Sequence, residues 1–137
     1  MQSLNFEEGY KEFAINGDES RILRFNPGDW GMMERIDKVT EVLEGTEKEL
    51  AKSSFEEISK IVVRVDKKIK EQFNYLINSP NASDVIFGGQ SPLNPVGNSY
   101  LFVKVLEALI PIIKNEVEAE VKKSKKRIEK YTEQYKK

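Results

Sequence analysis

Cysteine and histidine are both absent from these 137 residues. Without cysteine no disulfide framework exists, and nothing points to secretion. Without either residue, structural zinc and most catalytic zinc sites are excluded. Losing histidine also removes the commonest general base near neutral pH. Any catalysis would have to run on carboxylates, lysine, tyrosine or metal-bound water. Long hydrophobic runs are missing too: no stretch approaches the roughly 20 apolar residues of a membrane span. The start, Met1 to Glu8, has neither a basic region nor an apolar one, so it does not read as a signal peptide. Net charge is −1, which makes the whole molecule no magnet for nucleic acid or anionic lipid. The expectation is a cytoplasmic protein with no cofactor, no metal, no small-molecule substrate and no membrane contact.

What is present is charge and amphipathic pattern. Charged residues make up 33% of the chain and apolar ones 39%, a balance that suits long helices with one wet face. The sequence predicts one domain over 1–137, divided into a β-hairpin segment (1–27), a helical core (28–117) and a basic amphipathic tail (118–137). Asn16-Gly17 lies between two apolar patches, a strong hairpin signal, and places strands at about 10–15 and 20–25. Asp29 is a fitting N-cap for a first helix over about 29–51, carrying Met32, Ile36, Val39, Leu43 and Leu50. Ser54 with Glu57 reads as a capping box. It opens a second helix over about 54–78, whose seam runs Phe55, Ile58, Val62, Val65, Ile69 and Leu76, broadened by Phe73. That heptad-like seam suits self-association or packing within one chain. Ser83 or Asp84 caps a short turn stopped by Gly88-Gly89. Residues 90–98 form a loop, and a third long helix begins near Asn98 or Ser99. Pro111 lies inside its pattern and should kink it or split it in two. The fold class expected is mainly α, a hairpin packed on a small bundle of three long helices, the last extending into a charged C-terminal helix.

Candidate chemistry is sparse. Gly88-Gly89 lacks the Gly-Lys-Ser/Thr that completes a phosphate loop. A serine triad is excluded without histidine, and Ser54, Ser83 and Ser99 are read as helix caps. Glu7-Glu8, Glu56-Glu57 and Glu116-Glu118-Glu120 match no calcium loop and are read as solvated faces. Trp30, the sole tryptophan, is assigned to packing between hairpin and first helix. The tail is the most suggestive stretch. Its apolar stripe, Val117, Val121, Ile128, Tyr131 and Tyr135, outruns any evident cover within the chain. Lys122 and Lys126 lie among the lysines that rim it. These seven residues are the candidate partner contact.

Phe25-Asn26-Pro27 with Asp29, two charged amphipathic helices, Ile86-Phe87-Gly88-Gly89, a polar loop and an apolar helix with a Lys/Arg-rich end follow one another in that order. Over about residues 12–120 this order resembles the small tail-assembly chaperone-like proteins of long-tailed phages and prophages of Gram-positive bacteria. The resemblance implies a non-enzymatic helical protein that keeps the apolar tape-measure protein soluble while tail components assemble. The alternative is a phage regulatory or nucleic-acid-associated protein that uses the Lys-rich C-terminal helix.

Overall fold

Local signals lay out the described residues as eight elements in a computed structural model. It describes the backbone of residues 1–135 and the side chains of residues 1–128 and 130. Strand β1 (Lys11–Ile15) and strand β2 (Asp18–Phe25) form an antiparallel hairpin. Asn16 and Gly17 both take positive φ, 52° and 76°, as a two-residue turn matched to strand twist requires. Phe13 pairs with Leu23 and Ala14 with Ile22, but Ile15 pairs with Asp18, so Glu19–Arg21 bulge out of β2. Beside the turn, the Ser20 hydroxyl and N–H both donate to the Asp18 carboxylate and hold it below the usual carboxylate range. The inward face carries Phe13 stacked on Phe25 at 5.0 Å, and Leu23 beside them.

Helix α1 (Trp30–Lys52) starts where expected, with the Asp29 carboxylate accepting from the Gly31 N–H at 2.9 Å. Helix α2 (Phe55–Ile77) starts at Ser54, whose hydroxyl accepts from the Glu57 N–H at 3.2 Å. Ser54→Ala is expected to cost about 1 kcal/mol, the usual worth of an N-cap; urea unfolding measures it. The two helices pack through Ile36, Val39, Leu43 and Leu50 against Val65, Ile69, Phe73 and Leu76. The C-terminal half of the α2 seam is thus spent inside the chain, while Phe55 at its start stays exposed. Arg35 joins the helix ends: it donates to the Leu76 carbonyl at 3.1 Å and pairs with Asp29 at 3.0 Å.

Helix α3 (Ala82–Phe87) is one short stretch capped by Gly88 in the left-handed region. Strands β3 (Pro95–Val96) and β4 (Ser99–Tyr100) pair as a minimal ladder, and helix α4 (Leu101–Tyr135) follows directly. α4 buries Phe102, Leu109, Ile113 and Val117 against the body and runs through Pro111 as one element. A proline in a helix removes one N–H, and here flanking packing carries the helix past that gap.

The structure corrects several expectations. Trp30 is 66% exposed and Phe55 86% exposed. Each is the first residue of its helix, and the chain ahead of it does not fold back over it. Neither Ser83 nor Asp84 caps α3. The N-cap position is Asn81, without a side-chain bond, and the Ser83 N–H instead donates to Asn74 of α2 at 2.8 Å. Ser99 lies in β4 and caps nothing; α4 starts two residues later, once the ladder ends. Residues 95–96 are a strand rather than loop because Gly97, at φ 62°, lets the chain reverse.

Candidate functional site

Val117, the first of the seven tail residues, is only 8% exposed and belongs to the core. Its burial leaves little of it for a partner to touch. Val121 packs against the edge of that core. Beyond it the described side chains, 122–128 and 130, are exposed, and Lys123, Ser124 and Arg127 border a cleft with Glu7, Glu8 and Tyr10. Lys122 pairs loosely with Glu118 at 3.4 Å, Lys126 is exposed, and Ile128 is 64% exposed. The side chains of Tyr131 and Tyr135 lie outside the described residues. The tail therefore offers Val121 and Ile128 as apolar contacts, with lysines around them. Glu116 is not a free solvated carboxylate, since it receives Lys11 of β1 at 2.9 Å and ties α4 to the hairpin.

A second apolar surface was not anticipated. A groove of about 330 Å³ lies between the hairpin, α3 and α4. Four consecutive residues of β1 and its turn line it, Phe13, Ala14, Ile15 and Asn16, so the strand borders it with its edge rather than one face. From α4 come Leu101, Val105, Ala108 and Ile112, spaced one helical turn apart. Leu23, Ile86 and Phe87 form the floor. Among the described residues β1 pairs only with β2, so its other edge keeps unpaired backbone groups beside this hydrocarbon.

The polar groups at the groove have identifiable tasks. The Arg21 guanidinium donates to the Val85 carbonyl at 3.1 Å and the Ile86 carbonyl at 2.6 Å. These are last-turn carbonyls of α3, which lack helical partners and attract a cation. Gly88 closes over the same guanidinium: a Cβ there would meet Arg21 Cζ at 2.8 Å. Ile86-Phe87-Gly88-Gly89 is thus a helix end fitted to an arginine from the hairpin. Lys104 and Gln90 sit at the rim. Among the described residues no three Asp or Glu side chains converge as a metal site, and no helix is long and apolar enough to cross a membrane.

The pattern of three non-contiguous segments could not be read from any one of them. The only local signal was the apolar register of Leu101, Val105, Ala108 and Ile112, which lies apart from the deeply buried stripe. Comparison of this chain with protein-family models, with curated proteins and with solved structures finds no match.

Proposed function

We propose that this is a non-enzymatic protein that holds an apolar segment of a client protein in the groove between the hairpin, α3 and α4. The observation that carries this reading is the open edge of β1 lying alongside an uncovered apolar face of α4. A client segment entering extended meets backbone hydrogen-bond partners on one side and hydrocarbon on the other, the arrangement of strand addition. Lysine and arginine are the titratable groups of the lining, and Arg21 is already engaged by α3. That lining suits holding a chain more than reacting with one.

The resemblance of the sequence supplies the biological form of this reading: a cytoplasmic assembly chaperone whose client is a tape-measure protein, held soluble until the tail tube encloses it. Ala108 gives the test. It is exposed and lines the groove, so Ala108→Glu places a carboxylate in the client's path without touching the core. The wild-type chain is expected to suppress light scattering by a phage tape-measure protein diluted from denaturant, and Ala108→Glu to lose that suppression. Equal suppression by both removes the groove from the reading, and none by either removes the function. Nucleic-acid binding by the lysine-rich helix is less favoured, because Glu118 and Glu120 lie within 3.5 Å of Lys122 and Lys123. Retardation that falls steeply with salt would reverse that preference.

A further inference from the structure

On the side of α4 away from the client groove lies another unfilled surface. Val103, Leu106 and Ile110 are only partly buried, and with Leu43 of α1 they line a groove of about 340 Å³. Glu44 and Glu47 of α1 and Glu107 of α4 border it. Farther along α4, Val121, half-buried at the edge of the core, and the exposed Ile128 continue the same side at helical spacing. One helix thus carries an acid-bordered apolar groove at its start and a partly open apolar stripe farther along.

The charges beside this stripe have a telling order. Glu107, Lys114, Glu118 and Lys125 are all exposed and fall along one flank, at intervals of seven, four and seven residues. Read backwards, acid and base exchange places. A second copy of the helix running antiparallel therefore sets Glu107 against Lys125 and Lys114 against Glu118, twice each by symmetry. The same register sets Val103 beside Ile128 and Ile110 beside Val121. Matching flank charges in this way are what fixes partner and direction in paired helices.

We infer that the chain forms a two-fold dimer in which the α4 helices run antiparallel, the C-terminal part of each lying in the α1–α4 groove of the other. The contact is isologous, as closed dimers require, and spans about seven turns of helix. A parallel two-fold pair would instead set each of these charges beside its own copy, like against like. The dimer uses the face of α4 opposite Leu101, Val105 and Ile112, and it stands whether or not the client groove takes a client.

Two charge reversals test it, both at exposed positions. Glu107→Lys and Lys125→Glu should each weaken self-association about tenfold, since each turns two attractive pairs into repulsive ones. Mixed together, the two variants should form a heterodimer with wild-type affinity, because every pair is then opposite in sign. Sedimentation equilibrium of the full chains reads all four mixtures, and Ile128→Asp should leave a monomer. A wild-type chain that stays monomeric at millimolar concentration overturns the inference. So does a dimer indifferent to the reversals, or one that mixing does not restore.

Discussion

Phe73→Ala is expected to destabilise the protein by about 4 kcal/mol, the range found for emptying a large aromatic site. The ring is fully buried and meets Phe87 edge-to-face, with centroids 5.1 Å apart. It stands where α2, α1 and α3 converge, so its loss leaves a void bordered by Ile86 and Phe87, the floor of the client groove. A small domain holds only about 5–15 kcal/mol in total. The melting temperature should therefore fall by roughly 15 °C, measurable by circular dichroism. A loss below about 1 kcal/mol would mean that α3 does not pack on α2 as described.

Gly88→Ala carries the second large effect, about 3 kcal/mol, from two sources. Its φ of 56° lies in the left-handed region, which costs an L-residue roughly 1–2 kcal/mol. The added methyl also falls 2.8 Å from Arg21 Cζ and displaces a guanidinium that bonds two carbonyls. Hydrogen bonds of a charged donor are worth about 1.5–3 kcal/mol each in such settings. The two sources separate in a double-mutant cycle. Arg21→Ala removes the clash, so Gly88→Ala should cost only its backbone share, about 1–2 kcal/mol, in that background. Strict additivity would show that Arg21 and Gly88 do not communicate. Because Arg21 ties the hairpin to α3, the proposed function predicts that Gly88→Ala also weakens binding of an apolar segment, by widening the groove at its floor.

How much of this was legible in the sequence depends on how local each cause is. Asn16-Gly17, Asp29 and Ser54 act within a few residues of themselves, and each does what its type and position predict. The stripe of α1 is local in the same sense, since period alone selects Met32, Ile36, Val39 and Leu43. Trp30 and Phe55 are exposed for different reasons. Phe55 sits on the apolar side of its pattern, yet whether a helix's first residue is covered depends on what lies beyond the helix end; Trp30 falls on the wet side of α1, with the exposed Glu34 and Asp37. Val117 and Val121 make the same point from the other direction. Nothing in their type or spacing differs, but the first is 8% exposed while the second only packs against the edge of the core. The groove between the hairpin, α3 and α4 was illegible because its walls come from residues 13–16, 86–87 and 101–112, which no local pattern joins. The palindromic charges of α4 were in plain view, but they mean nothing until Val103, Ile110 and Ile128 are known to be uncovered.

The most direct measurement of the central claim is site-specific photocrosslinking. A photoreactive amino acid replaces Ala108 in one preparation and Lys126 in another, both exposed, and each is irradiated with a tape-measure protein held in solution. Expected is a strong adduct from position 108, mapped to an apolar client segment, and little from position 126. Adducts from position 126 alone would place the client on the tail and contradict the groove.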